Sequence, residues 1–319
     1  MSEPMLVGID LGGTSVKVAL VDYGGRVAAK QSAPFDVEAE PARIVDQIGS
    51  LIEALLARTL TVRDRVGGVG VGAPGPLSPR AGRIIRCANL PRWIDVPLRD
   101  LLGARLNKPV VLDNDGNAAA FGEFWAGAGR GGGDLVMLTL GTGVGAGVIL
   151  SGRILHGHFE NAAELGHMIV EANGVPCACG QRGCLEAYAS ASAVARRARA
   201  AIDEGGRSEL SGKVRQGSGL TSEDVFQAAS RGDELCCRIW DESCRYLAIG
   251  CINIQHAFNP ERIVLGGGMA RAGDFLLDRV RRLATELSWK LHDDVPEIAL
   301  AELGYDAGVI GAAGLALER

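Results

Sequence analysis

The chain contains a near-copy of part of itself. Residues 6–21 (LVGIDLGGTSVKVALV) align without a gap on residues 135–150 (LVMLTLGTGVGAGVIL), pairing Leu6 with Leu135, Val7 with Val136, Leu11 with Leu140, Gly12 with Gly141 and Leu20 with Ile149. In each copy an apolar run turns on a glycine-rich tip that carries a threonine, Thr14 or Thr142. After the first tip, Val16, Val18 and Leu20 alternate with Ser15, Lys17 and Ala19. That period of two predicts a second strand, where a dinucleotide-binding glycine string would open a helix. The string Gly141-Thr-Gly-Val-Gly-Ala146 does match the dinucleotide pattern, but Ser151-Gly152 follows too soon for a helix of useful length. Both copies therefore read as strand–glycine turn–strand units, and duplication implies two related lobes. At 319 residues the chain is long for one core and comfortable for two.

A glycine tip lets an anion approach the backbone N–H groups, and the threonine adds a neutral donor. One such tip could be an ordinary tight hairpin. Two in register argue for a pair of phosphate-binding turns at Gly12, Gly13, Thr14 and at Gly141, Thr142, Gly143. A third cluster at Gly266, Gly267 and Gly268 follows the apolar run Ile263-Val-Leu265, and its lack of side chains would suit a flat purine ring.

The run Pro109-Val-Val-Leu112 is a short buried strand that leads into Asp113, Asn114 and Asp115, with small residues and an amphipathic helix after them. Polar groups at the carboxyl end of a strand face the ligand cleft in α/β folds. Asx residues before a helix are also ordinary caps, so spacing alone leaves both roles open.

Cys177, Cys179 and Cys184 fall within eight residues, ten residues after His167. The N-terminus has no basic region before its apolar run, and Asp10 and Lys17 interrupt that run, so neither a signal peptide nor a membrane span is expected. A cytoplasmic setting keeps thiols reduced, which disfavours disulfides. A Cys3His set holds tetrahedral zinc, and four protein ligands leave no open position, so such a metal is structural. A free-thiol loop is the alternative. Cys237, Cys244 and Cys251 recur every seven residues, as one buried helix face would. Cys87 and Cys236 carry no readable role. Net charge is −5, which supplies no basic field for nucleic acid or an anionic membrane.

Taken together, Asp10-Leu-Gly-Gly-Thr14, the second glycine tip, Glu164-Leu-Gly-His167 and the cysteine motif ending at Glu186 resemble the ROK family (repressors, open reading frames, sugar kinases), from residue 5 to the C-terminal segment beginning at Asp306. The resemblance implies a duplicated two-lobe α/β fold of the actin/hexokinase (ribonuclease H-like) type with a central cleft. It would place residues 1–113 in a small lobe, residues 114–304 in a large lobe with the zinc loop, and return the C-terminal helix, 305–319, to the small lobe. Gly308, Gly311 and Gly314 would permit that helix to pack closely.

The resemblance further implies ATP-dependent phosphorylation of a hexose, with Asp115 as general base. Asn89, Asn114, Asp115, Glu164, His167 and Glu186 would bind the sugar. Asp10, Gly12, Gly13, Thr14, Gly141, Thr142, Gly143, Gly267 and Gly268 would serve ATP and its Mg2+. Zn2+ would sit on His167, Cys177, Cys179 and Cys184. Glucose is the expected substrate, and an N-acylhexosamine such as N-acetylmannosamine is the alternative. Family repressors carry a helix-turn-helix segment before the first glycine tip, and a strand starting near residue 5 leaves no room for one. Partners are then sugar and ATP, with neither nucleic acid nor membrane, and relatives suggest a homo-oligomer. The glycine tips lie far from the cysteines in sequence, so the metal loop is expected to matter for sugar and little for nucleotide. His156, His158, His256 and His292 read as surface or loop residues without a role.

Overall fold

The computed structural model describes residues 4–60, 63–87, 90–289 and 295–317. The chain forms two compact units, one of Met1–Gly133, Gly147–Ala163 and Glu302–Arg319, the other of Asp134–Ala146 and Glu164–Ala301.

In the first unit, strands β1 (Met5–Leu11), β2 (Ser15–Asp22), β3 (Val27–Pro34), β4 (Val66–Ala73) and β8 (Val110–Asn114) form a sheet ordered β3-β2-β1-β4-β8. The first three are antiparallel, and β4 and β8 add in parallel. Strands β5 (Leu77–Ser78), β6 (Arg83–Cys87) and β7 (Leu90–Val96) make a small antiparallel sheet beside it. The strands β9 (Leu135–Leu140), β10 (Val144–Leu150), β11 (Arg153–Ile154), β12 (Arg262–Gly266) and β13 (Glu297–Leu300) form another sheet, ordered β11-β10-β9-β12-β13. In chain order the two five-stranded sheets share one topology: a hairpin with a third strand on one side, and two later strands on the other. The duplication seen in the glycine tips thus extends to both whole sheets.

Helix α1 (Pro41–Arg58) starts with proline at its first turn, where the missing N–H is no loss. It buries Ile44, Val45, Ile48, Leu51, Ile52, Leu55 and Leu56 on one stripe. With α2 (Leu98–Leu106) it contributes to a core that includes Val7, Ile9, Val18, Val71 and the fully buried Trp93. Each such aliphatic contributes about 1.5–3 kcal/mol on full burial. Helix α3 (Asp115–Ala126) follows the expected lobe boundary at residue 113 but packs in the first unit, against α10 (Ala307–Leu315).

Close packing of α10 depends on absent side chains: a Cβ on Gly70 would lie 1.7 Å from Ala312 O, and one on Gly311 1.7 Å from Ala118 O. The segment entering α10 is also tied down electrostatically. Glu123 is 0% exposed, and its carboxylate accepts from the backbone N–H groups of Ala128, Glu302 and Leu303.

The second unit adds α4 (Glu186–Ala189), α5 (Ala191–Asp203), α6 (Ser211–Arg215), α7 (Ser222–Ser230), α8 (Glu234–Phe258) and α9 (Asp274–Leu287). On α8, Cys244 and Cys251 are buried and Cys237 is half-buried, so the seven-residue thiol stripe is a core face. No helix among the described residues is long and apolar enough to cross a membrane.

Candidate active site and metal centre

In the first unit, sheet register aligns Asp10 with Gly72, and Gly72 with Asp113, across the carboxyl ends of parallel strands β1, β4 and β8. Asp10 is part-buried, and Lys17 Nζ lies 3.6 Å from its Oδ2. Burial raises the Asp10 carboxyl above its ordinary value, and the Lys17 charge opposes that rise. A Cβ on Gly308 would stand 3.1 Å from Asp10 Oδ2, so the first turn of α10 faces this carboxylate, at the helix's positive end. The first glycine tip closes by Gly12 N donating to Ser15 O over 2.9 Å, which leaves Thr14 exposed.

The three residues at the end of β8 divide the work. Asp113 is 3% exposed. Its Oδ1 accepts from Asn114 N at 2.7 Å and Asn117 Nδ2 at 2.9 Å, and its Oδ2 meets His156 Nε2 at 2.6 Å. Asn114 is the α3 cap, its Oδ1 accepting from Gly116 N and Asn117 N. The capping role is therefore real at Asn114, and its amide group remains for other uses. Asp115 is exposed on the first turn of α3.

His156 corrects the reading that it is an idle loop histidine: it is half-buried and paired with the most buried carboxylate of the cluster. No motif or spacing connects residue 156 with residue 113, so only the folded sheet reveals the pair. Asn89 and His292 lie outside the described residues.

In the second unit, Cys177, Cys179, Cys184 and His167 bring their donor atoms within 4.8 Å of one another. Cys179 Sγ lies 3.7 Å from Cys184 Sγ, and Cys177 Sγ lies 3.8 Å from His167 Nδ1. A tetrahedral zinc with bonds of about 2.3 Å spaces its sulfurs about 3.8 Å apart, so the set fits that ion. The loop is folded by its own backbone: Cys177 N donates to Gln181 O, Gly180 N to Cys177 O, and Gly183 N to Val175 O. Tyr188 Oη accepts from Val175 N and stacks on Tyr246 at 3.9 Å, which fixes the loop on α4 and α8. In the bare protein burial pushes the Cys184 thiol up to about 12, whereas the Gln181 backbone holds Cys179 lower. A bound dication supplies the charge that keeps such buried sulfurs as thiolates.

The second glycine tip sits against this loop, which sequence distance did not suggest. Glu186 Oε2 accepts from Val144 N at 2.9 Å, while Oε1 lies 3.7 Å from Cys177 Sγ. A Cβ on Gly166, next to His167, would fall 2.0 Å from Val144 O. Gly141 O accepts from Ala191 N at 2.8 Å, and Gly267 packs on Leu140, where a Cβ would fall 2.6 Å from the carbonyl oxygen. The third glycine cluster and the metal loop thus grip the same tip, with Thr142 exposed at its apex. Glu164 is exposed and its carbonyl caps the turn that ends at His167.

A family model described as "ROK family" matches residues 6–319. The curated glucokinase of Halalkalibacterium halodurans is 38% identical over 320 residues, spanning 100% of this chain and 97% of that protein. The solved ROK hexokinase of Thermus thermophilus superposes with a TM-score of 0.81 at 33% identity, covering 98% of this chain and 99% of that one. A ROK family glucokinase of Streptomyces griseus, solved with glucose and AMPPNP, gives a TM-score of 0.81 at 32% identity over 99% and 100% of the two chains. The fold is accordingly the duplicated actin/hexokinase-like α/β fold. With the doubled sheet, the two glycine tips and the Cys3His loop all within the matched span, this chain belongs to the ROK family.

Proposed function

We propose that the protein is a glucokinase, transferring the γ-phosphate of ATP to the 6-hydroxyl of glucose. The observation that carries this reading is full-length similarity to glucokinases, one of them solved with glucose and an ATP analogue. The exposed Asp115 carboxylate at the end of β8 supports it as the site of chemistry. Asp115 accepts the proton of the sugar 6-hydroxyl as that oxygen bonds to the γ-phosphorus. The bond from that phosphorus to the bridging oxygen breaks, and ADP leaves. Phosphoryl transfer needs little covalent help, so most of the work is positioning and charge neutralisation. Thr14 and Thr142, with the N–H groups of their tips, bind phosphate oxygens. Asp10 would hold Mg2+, which would supply positive charge to the phosphates. In the first unit the Asn114 amide, and in the second Glu164, the second ring nitrogen of His167 and Glu186, are the groups we assign to the sugar. His167, Cys177, Cys179 and Cys184 would hold Zn2+ and brace the second-unit set.

Glycolytic use of ATP fits a cytoplasmic enzyme, and a homo-oligomer is the state we expect. A coupled ADP-release assay on metal-replete protein, run over glucose, mannose, fructose, N-acetylmannosamine and N-acetylglucosamine, tests the reading. The highest kcat/KM is expected for glucose; preference for an N-acylhexosamine would overturn the substrate, and no ADP release with any sugar would overturn the kinase.

A further inference from the structure

We infer that His156 is a positioning residue for phosphoryl transfer, holding the end of β8 through Asp113 so that Asp115 is presented at a fixed place. The inference rests on the kinase reading above. Asp113 uses both carboxylate oxygens: Oδ2 for His156 Nε2 at 2.6 Å, Oδ1 for the Asn114 N–H at 2.7 Å and the Asn117 amide at 2.9 Å. Asn114 in turn accepts from Gly116 N at 2.8 Å and Asn117 N at 3.3 Å. A short relay of hydrogen bonds therefore runs from the imidazole to the first turn of α3, on which Asp115 stands. Asp113 is 3% exposed, so water cannot readily replace a lost donor, and the carboxylate would turn to find another.

The loop that carries His156 is itself clamped. Glu160 accepts from Ser78 Oγ at 2.6 Å and from Arg80 N at 3.3 Å, with Arg80 Nε at 3.2 Å. The Ser78 hydroxyl, helped by the Arg80 N–H and the charges of Arg80 and His156, holds the Glu160 carboxyl below its usual value. Asp113 is bonded to His156, and Glu160 feels its charge. Two side-chain-bearing residues in this loop, Glu160 (φ 59°) and Ala163 (φ 68°), adopt the left-handed region. Such conformations persist where surroundings over-determine them, and they concentrate at functional sites. Here both ends of the loop are fixed, by Asp113 at one end and by the Ser78–Arg80 turn at the other.

The test compares His156→Gln with His156→Met. The two side chains have similar length and volume, but only glutamine offers an N–H near the imidazole Nε2 position. Steady-state kinetics with glucose and ATP, beside thermal midpoints, should show kcat about 10–100-fold lower in His156→Met, since small misplacements of a reacting group carry penalties of that order. His156→Gln should recover to within about threefold of the parent, and the KM for ATP should stay near the parent value in both. Equal kcat in the two variants, whether intact or reduced, would overturn the proposal, as would a loss confined to the thermal midpoint. A parent protein without phosphotransfer would instead overturn the kinase reading itself.

Discussion

Among three consecutive polar residues at the end of β8, burial separates the roles. Asp113 points into the unit and organises its neighbours, Asn114 caps α3, and Asp115 is left exposed. Asp115→Ala should therefore lower kcat by about 10²–10⁴-fold, the usual contribution of a general base. Its stability should change by no more than about 0.5 kcal/mol, because the side chain is exposed and the Gly116 N–H it accepts from is also capped by Asn114. Asn114→Ala should behave differently, losing about 1 kcal/mol of stability with its cap as well as activity. Urea unfolding beside kinetics separates the two; an Asp115→Ala variant with near-full kcat would reduce that residue to part of the helix start. The sequence made this cluster legible as a whole, because an apolar strand running into Asx residues is a local pattern. It could not rank the three, since an apolar run ending in Asx residues does not say which of them turns into the core. His156 was illegible for a related reason: its partner is 43 positions away, and no local pattern encodes that pairing.

At the scale of elements, the metal loop and the second glycine tip form one piece of structure. The Cys3His set was readable from spacing because thiolates and imidazole at short intervals have few other uses. Its connection to the tip was not, because the resemblance offers Glu186 only as a sugar ligand and no local pattern points from residue 186 to residue 144. In the fold the Glu186 carboxylate holds Val144 N, and Gly166 lies against Val144 O. Structural zinc sites of this type bind with an apparent free energy of roughly 10–16 kcal/mol in small peptides. Cys179→Ser should empty the site or leave zinc sub-stoichiometric, releasing the loop between Cys177 and Cys184. Glucose affinity should then fall sharply. Nucleotide affinity should fall too, by a smaller factor, because the support of Gly143 and Val144 loosens with Glu186. Calorimetry with glucose and with AMPPNP, beside metal analysis of the same sample, measures both. Unchanged AMPPNP affinity in zinc-free protein would mean that the tip keeps its shape on Ala191 and Gly267 alone.

For the whole molecule, the repeat of residues 6–21 at 135–150 disclosed the doubled architecture, and both sheets carry it through in full. The assignment of segments to units was harder to read. Helix α3 follows a plausible boundary in sequence, yet its packing partner α10 lies at the other end of the chain, and only glycines of close approach hint at that contact. Gly311 provides the sharpest test of how the first unit is completed. A side chain there would meet Ala118 O at 1.7 Å and Gly122 N at 2.6 Å, both on α3, and neither backbone can move without disturbing the helix that presents Asp115. Overpacking typically costs about 1–3 kcal/mol, and a clash with backbone belongs at the upper end. The clash lies between two helices of one unit, so the most direct readout is local. Hydrogen exchange in Gly311→Ala should show α10 and α3 losing protection while α8 in the second unit keeps its own. Gly212→Ala is the matched control: it lies in α6 with nothing within 4 Å of the added carbon, and alanine there should leave exchange unchanged or slightly slower. Equal protection of α10 in Gly311→Ala and Gly212→Ala would show that the C-terminal helix is held by its apolar face and the Glu123 anchor, and that the close approach to α3 contributes little.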